Sequence, residues 1–278
     1  MGFFGGAVIG GLILFSGCQL QQNNAVQVVG AVLPHHLLVT NFIDDFYALL
    51  AQQIKPQRVI LLSPNHFDYG THFIQTATET PKNVYDAMLD LDAIRFLSSQ
   101  ADAVIENKDY FKEHGIYVHY PFIKKYFPDA KIIPIIFKIG TPQEKMDKLI
   151  GDLSLLDAKN TLVLASVDFT HYVSDEIALE NDNRTIAYFK SWSDNAVLRK
   201  NATQIFTDLK RIAKSKKQKS SHAVAIDSPE SIYTLLNYLH ANRVSGFQLW
   251  RRTSSQSFAG VTDSSQNTSH IFGYFKNG

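Results

Sequence analysis

Thiols are almost absent: the 278 residues contain one cysteine, Cys18. An intramolecular disulfide and a cysteine-based zinc cage are therefore both excluded. An excess of charge of one sign is missing too, with 27 Lys+Arg against 26 Asp+Glu and a formal net charge of +1. Nothing in that balance favours a nucleic-acid partner. No internal repeat is visible, and the longest apolar run, about a dozen residues near the N-terminus, is too short to span a bilayer comfortably. What the chain does have is apolar material, 45% of residues against 19% charged, which excludes a disordered or repeat protein and supplies a core.

Residues 1–17 carry no charged side chain and lead into Leu14-Phe15-Ser16-Gly17-Cys18, after which Gln19, Gln21, Gln22, Asn23 and Asn24 turn the chain polar. This fits a signal-peptide core. The five residues up to Cys18 resemble the lipobox of bacterial lipoproteins, although no Lys or Arg forms a positive n-region and Phe15 stands where an aliphatic residue is usual. The resemblance implies an extracytoplasmic protein anchored to the membrane by a lipid on Cys18; without a signal in 1–17 the location would be cytoplasmic. A folded part free of thiols suits an oxidising compartment.

Short apolar runs bounded by polar turns predict strands at Val26–Leu33, Arg58–Leu62, Lys131–Phe137, Thr161–Val167, Phe247–Arg251 and His270–Phe275. Apolar spacing predicts helices over Phe42–Ile54, Asn83–Leu97, Asp175–Lys190 and Glu230–Ala241, the last with Ser228 as N-cap and Pro229 in its first turn. Pro134 suggests an edge strand or a bulge, Thr253–Ser269 reads as a loop, and the basic run Lys210–Lys219 as a solvated loop. The first two strands and the helix between them make a βαβ unit with parallel strands. The expectation is one α/β domain over 25–278, a mainly parallel central sheet flanked by helices.

Three clusters carry the chemistry: Pro34-His35-His36, Ser63-Pro64-Asn65-His66 and Asp168-Phe169-Thr170-His171. Each directly follows a predicted strand. Ligands of open α/β sheets bind in the crevice beyond the carboxyl ends of the strands, so three strands deliver metal-ligand or acid–base groups to one sheet edge. A small molecule or peptide would occupy that crevice.

The order of the blocks resembles the Memo family, called AmmeMemoRadiSam system protein B in bacteria and archaea. To the two histidine blocks it adds Glu113-His114-Gly115-Ile116-Tyr117-Val118-His119-Tyr120-Pro121, then Ser166-Val167-Asp168-Phe169-Thr170-His171-Tyr172, and Asp227-Ser228-Pro229-Glu230-Ser231-Ile232. Three departures stand out. Val167 intrudes before Asp168, Tyr117 replaces a glutamate, and Asp227 stands where the family carries a cysteine. The family is similar in fold to the extradiol-type non-haem iron dioxygenases, whose metal is held by two histidines and a carboxylate.

The resemblance implies a metal held by His35, His66 and Asp227. Two neutral imidazoles and one carboxylate make the facial set that leaves positions open on Fe(II), with copper or zinc as other occupants. Aspartate in place of cysteine makes the site harder and removes an oxidisable thiol. His171 and His114 are the general acid–base candidates, and Asp168 could orient His171 or act on the metal from behind. His36, His119 and Tyr172 could line the pocket, whereas His72, His222, His240 and His270 read as structural or surface residues. Asp227 beside a helix start has a plain capping explanation as well. Three functions follow as expectations: a metal-dependent redox or dioxygenase-like enzyme, a non-catalytic binding module, and a zinc-dependent hydrolase.

Overall fold

A computed structural model describes residues 1–2, 27–100, 103–107, 112–156, 160–214 and 224–277. The signal and lipidation expectations at 1–17 and Cys18 therefore lie outside the described residues, apart from the first two positions.

Among the described residues eight strands form one sheet: β1 (Val28–Leu33), β2 (Arg58–Pro64), β3 (Ile74–Thr76), β4 (Ala103–Ile105), β5 (Lys131–Phe137), β6 (Thr161–Ser166), β7 (Gly246–Ser254) and β8 (Ser269–Lys276). Their order is β4-β3-β5-β2-β6-β1-β8-β7. The middle four, β5, β2, β6 and β1, are parallel, while β3 joins β5 and β8 joins β1 antiparallel. The parallel strands read as continuous apolar runs because both of their faces are covered; β2 and β6 are buried along nearly their whole length.

The helices are α1 (Thr40–Ala51), α2 (Leu91–Gln100), α3 (His114–Tyr117), α4 (Tyr120–Tyr126), α5 (Gln143–Leu155), α6 (Asp175–Asp194), α7 (Ala196–Arg199), α8 (Ala202–Ala213), α9 (Pro229–Ala241) and α10 (Ser255–Ala259). Successive side chains of a strand face opposite ways. On β8, Phe272 meets Phe46 of α1, and Phe275, three residues on, meets Trp192 of α6. α1 and α6 thus cover opposite faces. α9 shares the α6 face: Gly30, paired with Phe275, lies so close to it that a Cβ there would stand 2.9 Å from Leu235 and 3.0 Å from Leu239. The missing side chain lets α9 seat across β6, β2 and β1, with its start at the strand C-termini.

Four expectations are corrected. Asn83–Leu97 is not one helix: Lys82 and Asn83 take left-handed backbone angles, Leu89 bridges to Ile132, and α2 starts only at Leu91. Pro134 is neither at an edge nor in a bulge, since β5 lies inside the sheet in unbroken register with β2. β3 pairs only Ile135–Phe137, so one flank carries no strand at Pro134, and Thr76 Oγ1 donates to the Pro134 carbonyl. Thr253–Ser269 is partly ordered, because β7 runs on to Ser254 and α10 follows with a Ser254–Ser257 capping box. Lys210 and Arg211 belong to α8 rather than a loop; 215–219 are outside the described residues.

Candidate metal centre

The strands that carry the three clusters, β2, β6 and β1, are immediate neighbours. Each places a ligand type two residues past its end: His66 after Pro64, Asp168 after Ser166, His35 after Leu33. Asp227 comes from the segment ahead of α9. The capping explanation for it falls away, because Ser228 caps α9 by accepting from the Ser231 N–H at 3.1 Å. The Asp227 carboxylate is turned to the histidines instead, with Oδ2 3.5 Å from His35 Nε2 and 3.6 Å from His66 Nε2. Asp168 Oδ2 is 3.5 Å from the same His35 nitrogen, and the Asp168 N–H donates to Asp227 Oδ2.

His114 stacks on His66 with ring centres 4.2 Å apart and stands edge-on to His35 at 5.0 Å. Among the described residues two overlapping donor sets result, His35–His66–His114 and His35–Asp168–Asp227, each with its donor atoms within 4.8 Å of one another. Donors about 2.0–2.2 Å from a shared ion stand roughly 3.0–3.6 Å apart, depending on the coordination angle, so the His–Asp227 spacings fit one cation. Asp227 Oδ1 supports the fit: it is buried and, among the described residues, has no hydrogen-bond partner, a costly state for a carboxylate oxygen that a cation would relieve.

His66 is held from behind. The Glu113 carboxylate, itself buried, accepts from the His66 backbone N–H at 2.8 Å and pairs with His66 Nδ1 at 2.7 Å. His35 is held likewise, with Nδ1 3.0 Å from Ser166 Oγ and its backbone N–H donating to Asp168 Oδ1. Such partners fix the ring and aim the other nitrogen at a metal. Neither Glu113 nor Ser166 was assigned a role from the sequence, although both lie inside its third and fourth blocks.

The electrostatics divide the site. Burial, then the neighbouring imidazoles of His66 and His114, push the His35 pKa well below its ordinary value. Burial and His66 also lower His114, and burial lowers His171. Burial works against charge on His66 too, but Asp227 and Glu113 outweigh it and raise the pKa to about 10. Burial and the Asp227 charge push Asp168 well above the carboxylate range. At neutral pH the metal-free His66 is thus charged, and a cation must displace its proton. Uptake is expected to release about one proton per ion and to tighten as pH rises. Titration calorimetry in buffers of different ionisation enthalpy measures this, and a heat independent of buffer would contradict it.

The other sequence candidates separate. His171 lies at the same edge, its N–H bonded to the Val224 carbonyl, but it belongs to neither donor set. His36 pairs with His270, Nδ1 to Nε2 at 3.0 Å. His119 does not line the cavity beside His35: it is fully buried between Tyr47 and Ser166. That cavity, of 410 Å³, is bounded by His35, His36, Leu37, Leu38, His114, Tyr117 and Val118. A second, of 620 Å³, shares Tyr117 and adds Phe67, Tyr85 and Lys112.

A family model described as Memo-like protein matches residues 18–271. A MEMO1 family protein of Saccharolobus solfataricus is 31% identical over 150 residues, covering 50% of this chain and 51% of the relative. The chain thus matches about half of that protein's length. A MEMO1 family protein of Methanosarcina acetivorans is 28% identical over 243 residues, 84% of this chain and 85% of the relative. Among solved structures, an uncharacterized protein of Escherichia coli K12 shares the fold at a TM-score of 0.53 and 11% identity, over 91% of this chain and 100% of that one.

Proposed function

The chain belongs to the Memo-like protein family, and on that premise we propose that it holds one divalent or redox-active ion through His35, His66 and Asp227 and uses it in an oxidative reaction. The observation that carries this reading is the convergence of two Nε2 atoms on one carboxylate oxygen, each ring secured at its other nitrogen. Oxygen and imidazole donors without a thiolate suit a harder ion than the family's cysteine would, so Fe(II) is the first choice, ahead of copper or zinc. The ion, when bound, supplies Lewis acidity and, for iron or copper, electrons.

The chain's own groups do the rest. His114 and His171 are neutral imidazoles at the site and can take or give a proton. Asp168 can hold one beside His35. The two cavities take a small, largely apolar molecule or peptide end, since Leu37, Leu38, Phe67 and Tyr117 are all exposed at their walls. Location outside the cytoplasm on a Cys18 lipid rests on the charge-free residues 1–17 and the residues up to Cys18. Among the described residues no helix is long and apolar enough to cross a membrane.

Elemental analysis of the chain purified without oxygen tests the proposal. Near-stoichiometric iron or copper is expected, lost from both His35→Ala and His66→Ala. Zinc in their place would favour a hydrolase, and a folded chain that takes up no ion on reconstitution would overturn the metal reading.

A further inference from the structure

The geometry points to Gly115 as the residue that orients both histidine ligands at once, through Ser166 on one side and Glu113 on the other. This assignment rests on the metal-binding reading above. Ser166 Oγ has three polar neighbours: the Gly115 carbonyl at 2.6 Å, His35 Nδ1 at 3.0 Å and His119 Nε2 at 3.0 Å. A carbonyl only accepts, so the single hydroxyl proton goes to Gly115. Ser166 is then an acceptor towards both rings, and His35 must carry its proton on Nδ1. The lone pair of His35 is thereby left on Nε2, the atom that faces Asp227 and Asp168.

The same rule runs outward. His119 donates from Nε2 to Ser166, so its Nδ1 accepts, and the Tyr47 hydroxyl 3.1 Å away donates to it. The chain Tyr47–His119–Ser166–Gly115 is buried throughout, with every hydrogen bond pointing one way. Reversing one member would leave an unpaired group in the core.

The other end of Gly115 serves His66. Its N–H donates at 2.9 Å to Glu113 Oε1, the oxygen that holds His66 Nδ1. Only glycine fits there: a Cβ would stand 2.1 Å from Ser63 Oγ, 3.1 Å from Glu113 Oε1 and 3.3 Å from His35 Nδ1. Gly115, Ser166 and Glu113 are positioning residues, since none of them is among the donor sets.

The test compares the parent chain with Ser166→Ala, Ser166→Thr and Gly115→Ala. Two-bond proton–nitrogen correlation spectra of the metal-free chain at mildly alkaline pH report which ring nitrogen of His35 is protonated. Competition of Zn²⁺, the probe ion, against a chelator reports affinity. The parent should show His35 protonated at Nδ1. Ser166→Ala should populate the other tautomer and weaken Zn²⁺ binding by about 10- to 100-fold, the usual cost of losing such a partner. Ser166→Thr, which keeps a hydroxyl, should restore the parent tautomer, and Gly115→Ala should disturb the ring signals of both His35 and His66. A parent His35 protonated at Nε2 would overturn the assignment, as would a Ser166→Ala chain with parental tautomer and affinity. A chain that binds no Zn²⁺ yet changes tautomer on Ser166→Ala would sink the metal reading and uphold the positioning role.

Discussion

An Asp227→Asn chain is expected to fold like the parent and lose its ion. The substitution keeps shape and removes charge at a carboxylate that faces both His35 Nε2 and His66 Nε2. Because changes behind the ligands alone cost about 10- to 100-fold in affinity, loss of a ligand charge should cost on the order of a hundredfold or more. The helix has little to lose, since Ser228 makes the cap. The local backbone also keeps its Asp227 N–H to Asp168 carbonyl bond. Asp227→Cys should regain binding with a preference moved towards softer ions such as Cu(I) and Zn²⁺. Metal-to-protein ratios after dialysis, with circular dichroism for the fold, decide both points. Undiminished iron in Asp227→Asn would show that the ion is held by another set of groups.

Asp182→Ala should produce a large loss of stability. Asp182 is fully buried on α6 and accepts at 2.8 Å from each of Thr170 Oγ1, Ser269 Oγ and Arg252 Nε. Alanine would strand two hydroxyls and leave Arg252 with Asp175 as its remaining carboxylate partner. Breaking a buried pair from one side costs about 3–5 kcal/mol. Replacing Asp182 and Arg252 together with apolar residues should cost much less, because then no buried charge is left unpaired; Asp175, the other partner of Arg252, keeps its contact with water. Urea midpoints of the two chains give the comparison, and a single-variant loss below about 1 kcal/mol would contradict the argument. Thr170 sits in the loop between Asp168 and His171, so a slower second effect, weaker metal retention in the folded variant, is expected too.

The strands of the parallel core were legible in the sequence because burial on both faces leaves uninterrupted runs such as Val59–Leu62. So was the gathering of His35, His66 and Asp168, since strand ends in such a sheet share one edge. Neighbouring order was not: that β6 lies between β1 and β2 depends on pairings between distant segments. The helix misplaced over Asn83–Leu97 shows the same limit. Its apolar spacing is real, but Leu89 and Asp90 spend their backbone on β5, through the Ile132 bridge and the Asp90 N–H to Ile132 carbonyl bond. Glu113 and Ser166 carry no role in the sequence reading, and His119 carries that of a pocket wall, because the histidine or serine that each one holds is 47 to 131 residues away. A buried serine leaves no periodic trace, whereas histidines after strands do.

The placement of His35, His66 and Asp168 two residues beyond three adjacent strands has an evolutionary consequence. The candidate cage sits at the ends of the central parallel strands, where inter-strand hydrogen bonds fix the spacing. Most of the walls a guest would touch are outside it, on the turn Leu37–Val39, on Phe67 and on the short α3 with Tyr117. Such walls can change their residues, and therefore their guest, while the cage stays put. Descendants of this chain could diverge in what they act on long before they diverge in what they hold.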